Sequence, residues 1–245
     1  MEWIECEKEV LARAEKRLGE ILDPVCSSHG LLHAKCVADH TQAAISASAV
    51  PIPERTAFLL TLASLLHDAD DHKFFGENSQ NAVDIMEYCS DGKMSKEDVS
   101  FVLMLIDFVS CSKNGDSVPD IAQDHPEYLF PRHSDRLEAL GEIGVRRCYQ
   151  YNVGKGAPFF CETTPRPTSA AQVWEYASKE RYAKYSGGSD SMLDHYYDKL
   201  LHLSKGIPEN NSYYKSVKDQ RDQILVDICV HYGRTGTLHP IFEKL

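Results

Sequence analysis

Apolar positions along this 245-residue chain recur at steps of three and four almost throughout. Trp3, Ile4, Val10, Leu11, Ala14, Leu18 and Leu22 predict an amphipathic helix over residues 2 to 22. Asp23-Pro24 ends it, because a residue before proline is driven out of the α region. Val37, Thr41, Ala44 and Ile45 stripe a second helix over 31 to 48. After the break "VPIPE", Pro53 suits the first turn of a third helix running to about Asp68. Ala82, Ile85, Met86 and Cys89 place a fourth over 77 to 89. Ser95 with Asp98 has the spacing of a capping box and opens a helix through Phe108.

Residues 111 to 131 contain Gly, Asp and three prolines and read as loop. A helix is expected from near Ser134 to about Tyr151, with Asp135 in its opening turn. The stretch 152 to 190 reads as a loop-rich insertion holding one moderately amphipathic helix near 169 to 184. Two further helices are expected over 190 to 204 and 209 to 232, then an irregular tail. With no strand alternation and no repeat, the chain reads as one all-α domain over 1–245, a compact helical bundle.

Composition narrows the functions available. The chain carries 26 Lys and Arg against 37 Asp and Glu, a formal net charge of −11. Such a surface repels nucleic acid polymers and anionic membranes, and a phosphorylated ligand needs a local cation to approach it. The run "TAFLLTLASLL" is far shorter than the roughly 20 residues that span a bilayer. The acidic start "MEWIECEKEV" is unlike a secretory signal. Eight cysteines lack C-x-x-C spacing and read as reduced thiols of a cytoplasmic protein.

Against this background, "LLHDADDHKFF" (65 to 75) is unusual, since an apolar helix runs straight into a knot of ionisable residues. His33 near the start of the second helix, His67-Asp68 at the end of the third and Asp135 further on offer two imidazoles and two carboxylates. A mixed N/O set of this kind suits manganese, iron, cobalt, magnesium or zinc, not a thiolate-selected metal. Four protein ligands on an octahedral ion leave two positions for water and a substrate oxygen, as metal-assisted hydrolysis requires. Taken singly, His33 reads as a core or cap histidine and Asp135 as an acid near a helix N-terminus.

The ordered pattern H…HD…D resembles the HD superfamily of metal-dependent phosphohydrolases. "SHGLLHAKCV", "LASLLHDADDHKF", "SDRLEALGEIGVRRCYQY" and "DHYYDKLLHL" are similar, in order, to motifs of the small bacterial branch with nucleotide diphosphohydrolase members. Together they extend over most of residues 10 to 230. Gly30 and Leu31 stand where that branch often has Asp and Trp, and His133 where an acid often precedes the ligand aspartate.

The resemblance implies an HD-domain helical bundle and one divalent metal ion, manganese favoured, held by His33, His67, Asp68 and Asp135. It implies Asp71 as an acid/base group. Lys73 and His29 would contact a phosphate, with Arg136, His195 and Lys199 as further substrate-binding positions. The expected activity is hydrolysis of a small phosphorylated molecule, a nucleotide first, with a homodimer as one arrangement open to the protein. Two other readings stay open: an HD-type di-iron oxygenase, for which His72, His125 and His133 are loose additional ligands, and a nucleotide-binding sensor with little turnover.

Overall fold

The computed structural model describes residues 5–24 and 30–244, except the side chains of residues 73 and 112. The described residues contain helices and turns and no strand, so the fold class is all-α. They fall into two compact units. The first is Met1–Asp135 with Asn211–Tyr213, and the second is Arg136–Asn210 with Tyr214–Leu245.

In the first unit, helix α1 (Glu5–Leu22) is followed by α2 (Leu31–Ser46) and α3 (Glu54–Leu66). Every residue of α3 from Ala57 to Leu66 is buried. A helix apolar on all sides belongs at the centre of its layer, and α3 packs against both α2 and α6 (Lys96–Val109). Its two interior hydroxyls bond within the helix, Thr61 to Ala57 O at 2.9 Å and Ser64 to Leu60 O at 2.9 Å, so neither polar group is left unsatisfied. A short α4 (His72–Phe75) and then α5 (Asn81–Ser90) precede α6. Helix α1 lies on α5. Arg13 grips both carboxylate oxygens of Asp91 at 2.9 and 2.8 Å, and the carbonyl of Tyr88 at 2.7 Å. Ser95 caps α6 as its spacing predicts, accepting the Asp98 N–H at 3.1 Å.

The segment expected to be loop, 111 to 131, holds α7 (Cys111–Asn114), α8 (Asp120–Asp124) and a 3-10 turn at Pro126–Leu129. The prolines that argued against helix start helices here. Pro119 is the residue before α8, and Pro126 opens the 3-10 turn, positions where a missing N–H costs nothing. Arg132, only 2% exposed, holds the segment down. Its guanidinium donates to Phe108 O at 2.6 Å and Ser117 O at 2.7 Å, placing a cation at the C-terminal end of α6, where the helix dipole favours it.

The helix expected from 134 to 151 is two helices, α9 (Phe130–Glu138) and α10 (Gly141–Gly154). Asp135 therefore lies inside α9 and not in an opening turn. Two glycines explain the break. Gly141 has φ +69° and a Cβ there would lie 2.9 Å from Arg221 Cγ, while a Cβ at Gly144 would meet the Ala139 carbonyl oxygen at 2.1 Å. Only residues without a Cβ let the chain turn back this tightly.

In the second unit, the helix expected at 169 to 184 divides into α11 (Ala170–Tyr176) and α12 (Lys179–Ala183) because Ser178 starts afresh, its hydroxyl accepting the Arg181 N–H at 3.1 Å. The next stretch is α13 (Met192–His195), a π-helical turn (Tyr196–Leu200), α14 (Leu201–Leu203) and a 3-10 turn. Helices α15 (Ser212–Arg221) and α16 (Gln223–Thr235) follow, and the tail ends in a 3-10 turn, Pro240–Lys244, where irregular chain was expected. Helix α16 packs on α10 and α11. Asp194 is the buried polar node, accepting from Ser191, from Thr164 at 2.7 Å and from Arg181 at 2.7 Å.

Arg132→Met keeps the aliphatic stem and removes the guanidinium. It should destabilise the protein by about 2 kcal/mol, since hydrogen bonds to charged groups carry that order of energy, read as a lower urea midpoint with an unchanged slope.

Candidate metal centre

His33 projects from the first turn of α2 and is buried. Helix α3 stops at Leu66, and His67 is its C-cap residue. Beyond it the chain advances by i to i+3 hydrogen bonds, Ala69 N to Leu66 O at 2.9 Å and Asp71 N to Asp68 O at 3.2 Å. His67 and Asp68, successive in the chain, face Asp135 and His33 here. Asp135 arrives from α9.

His33 Nε2 lies 3.3 Å from Asp135 Oδ1 and 3.7 Å from Asp68 Oδ2. His67 Nε2 lies 3.3 Å from Asp68 Oδ2 and 3.7 Å from Asp135 Oδ1. The two imidazole rings meet edge to face, 5.1 Å between centroids. Ligand atoms of His33, His67 and Asp135 all fall within 4.8 Å of one another, and among the described residues no other such group of three arises.

The donor set fits a divalent cation. His67 Nδ1 bonds to the Ser64 carbonyl at 2.8 Å. A carbonyl only accepts, so Nδ1 carries the proton and Nε2 turns its lone pair toward the carboxylates, the tautomer a metal ligand needs. Two lone-pair nitrogens and two anions packed this closely require a positive charge among them, either a proton or a metal ion. Burial opposes protonation of His67, but the adjacent Asp68 carboxylate and then Asp135 outweigh it and raise its pKa to about 9.

No protein-family model matches the chain. The protein L803 of Acanthamoeba polyphaga mimivirus is 36% identical over 188 residues, 69% of this chain and 74% of the viral one. This chain belongs to the family of that viral protein. Among solved structures, Bacillus subtilis YpgQ has a TM-score of 0.62 at 18% identity, with 93% of this chain and 96% of that one covered. YpgQ is also known in complex with ADP. A Bacillus thuringiensis protein described as an HD-superfamily hydrolase has a TM-score of 0.59 at 21% identity, with 92% and 96% covered. The fold is that of the HD domain.

Around this cluster the remaining residues sort by position. Asp71 follows Asp68 by one i to i+3 turn. The continuous helix that would have set it on one face with His67 has already ended. Its side chain is mostly buried and lies 3.6 Å from His72 Nδ1. Lys73 is in α4, with its side chain outside the described residues, and His29 lies wholly outside them. Asp70 is structural: it accepts from Ser79 Oγ, from Asn81 N at 2.7 Å and from Ala82 N at 3.1 Å, capping α5 from outside the helix. His72 is exposed, and His125 pairs with Glu127 at 3.2 Å. Neither they nor His133 join the ligand cluster.

Arg136 is buried in the second unit. In the same unit His195 and Lys199 flank the ring of Tyr185, His195 at 5.4 Å between centroids and Lys199 Nζ at 5.6 Å from the centroid. Partly buried Cys148 and buried Cys229 have their pKa values pushed up to about 12, desolvation being the main cause in each, which keeps them as unreactive thiols.

Sequence reasoning passed over three buried hydroxyls, those of Thr41, Ser64 and Ser134. Two of them left a trace in spacing: Ser64 precedes His67 by three residues, and Thr41 lies on the stripe His33–Val37–Thr41.

The folded metal-free protein binds the His67 proton more tightly than the unfolded chain does. The stability this contributes is complete below about pH 6.5 and disappears as pH rises through about 9. With EDTA present, unfolding free energy should therefore fall across that window, and His67→Gln should flatten the fall. A wild-type profile already flat between pH 6.5 and 9 would count against the geometry described.

Proposed function

We propose that this chain is a divalent-metal-dependent phosphohydrolase acting on a small phosphorylated molecule, a nucleotide being the first substrate class to test. The observation that carries the reading is the convergence of His33, His67, Asp68 and Asp135 at 3.3 to 3.7 Å in a fold shared with an HD-superfamily hydrolase. YpgQ's complex with ADP supports the nucleotide class. The single ligand cluster favours a mononuclear centre over the di-iron reading. Among the described residues no helix is long and apolar enough to cross a membrane, which suits a protein working on a dissolved cytoplasmic substrate.

In this reading the two imidazoles and two carboxylates hold the ion, with Mn²⁺ tested first among Mn²⁺, Mg²⁺, Co²⁺, Fe²⁺ and Zn²⁺. Such an ion, when bound, supplies Lewis acidity, lowering the pKa of a coordinated water and polarising a phosphoryl oxygen. Ser64 keeps His67 in the tautomer that presents Nε2. Asp71 handles protons: as carboxylate it orients and deprotonates the attacking water, and as acid it protonates the leaving oxygen. Lys73 and His29 offset charge on the phosphate. His195, Lys199 and Arg136 are assigned to substrate binding, and residues 152–190 to substrate choice.

A panel of nucleotides and phosphate esters assayed with each metal tests this directly. Asp68→Ala should lose the bound ion. Asp71→Ala should keep it and lose turnover by about 10²- to 10⁴-fold, the usual worth of a general acid or base. Equal metal content and equal turnover in wild type and both variants would refute the assignment.

A further inference from the structure

Eight residues past His33, on the same stripe of α2, the Thr41 hydroxyl meets two others. Thr41 Oγ1 is 2.7 Å from Ser64 Oγ and 2.8 Å from Ser134 Oγ. All three residues are at 0% exposure. They come from α2, α3 and α9, the helix that bears His33, the helix that ends at His67 and the helix that bears Asp135. Each also lies close along the chain to a ligand: the Ser64 carbonyl holds His67 Nδ1, and Ser134 is bonded directly to Asp135.

The geometry has a direction. Thr41 has one hydroxyl proton. Thr41 donates it to Ser134, and the single Ser64 proton is shared between the Leu60 carbonyl and Thr41, so the bonded hydroxyls cross all three helices. Apolar side-chain contacts between helices tolerate sliding by fractions of an ångström, and hydrogen bonds of fixed length in a dry interior do not. Val37 on α2 and Leu60 on α3 are also at 0% exposure. The hydroxyl chain is a directional contact that joins the three elements.

We propose that Thr41, Ser64 and Ser134 form a positioning lock that sets the relative register of the three ligand-bearing elements, and through it the affinity of the centre for its ion. The inference rests on the metal-centre reading above. It assigns these residues no contact with substrate or metal. Its consequence is that loosening the lock costs metal affinity out of proportion to fold stability, because four ligand atoms on three elements must agree to within tenths of an ångström.

Four variants test it. Thr41→Val removes the hydroxyl and keeps the shape. Ser134→Ala removes the far end of the chain and serves if Thr41→Val does not fold. Thr41→Ser restores the hydroxyl. Thr61→Val, on the same central helix, removes a buried hydroxyl that bonds only to Ala57 O. Mn²⁺ affinity is measured by calorimetry, the Co²⁺ ligand-field spectrum by absorption, and metal-free stability by urea unfolding in EDTA.

Thr41→Val and Ser134→Ala should bind Mn²⁺ about 10- to 100-fold more weakly, the range found for residues that orient metal ligands, with an altered Co²⁺ spectrum. Thr41→Ser and Thr61→Val should bind as wild type does. Unchanged affinity in Thr41→Val or Ser134→Ala overturns the lock. So does an equal loss in Thr61→Val, which would mark a general loosening of the bundle. Wild-type protein that binds none of the divalent ions overturns the metal-centre reading itself, and is distinguished by that from failure of the lock alone.

Discussion

Two buried imidazoles and two partly buried carboxylates cannot sit 3.3 to 3.7 Å apart unless positive charge is held among them. That constraint organises the first unit. It draws His67 and Asp68, the residues that directly follow the buried helix α3, toward His33 and Asp135. It also explains why the neighbouring acid, Asp70, is spent on capping α5, since a further unpaired carboxylate at this helix end would add repulsion and no ligand. Arg13 on Asp91 and Arg132 on the end of α6 then fasten the elements around the centre, each cation meeting a C-terminal helix end or the residue that closes one.

Much of this was legible in the residues themselves. Long helices with a clear three-and-four stripe, α1, α2, α3, α5 and α6, were placed to within a few residues. The candidate ligands stood out because four residues of two types, His33, His67, Asp68 and Asp135, fell in order along the chain, which no single one of them would have signalled. Short elements were illegible for a physical reason. Pro119 and Pro126 punctuate a loop and a helix start equally well, and only the packing of Arg132 on the 108–117 backbone decides between them. The split of α9 from α10 depended on Gly141 and Gly144, whose role is set by how close Arg221 and the Ala139 carbonyl come, a distance absent from one-dimensional pattern. The same holds for the helix expected at 169 to 184, divided by the cap at Ser178.

The four candidate ligands could be named from the sequence, and the groups that support them could not. His67 announces itself, but the carbonyl that selects its tautomer belongs to Ser64, and backbone carries no sequence signal. Asp71 stands one i to i+3 turn beyond Asp68, past the end of α3. Thr41, Ser64 and Ser134 read as ordinary small polar residues on apolar stripes, because a buried hydroxyl declares its partner only once the helices are brought together. In the second unit Ser191, Thr164, Arg181 and Asp194 were likewise unmarked, and they form a satisfied polar node in place of a hydrophobic contact.

The spacing of the ligands along the chain has a consequence for assembly. His33 and His67-Asp68 belong to helices that are neighbours in sequence and in space, so their half of the centre forms from local contacts. Asp135 is supplied only after the whole stretch of α4 to α8 has been laid down. Closing so long a loop is a slow, entropically costly event, and an ion that prefers the complete set rewards that closure alone. In the proposed reading, a bound ion would therefore reinforce the docking of α9 more than any contact within the α1–α3 layer.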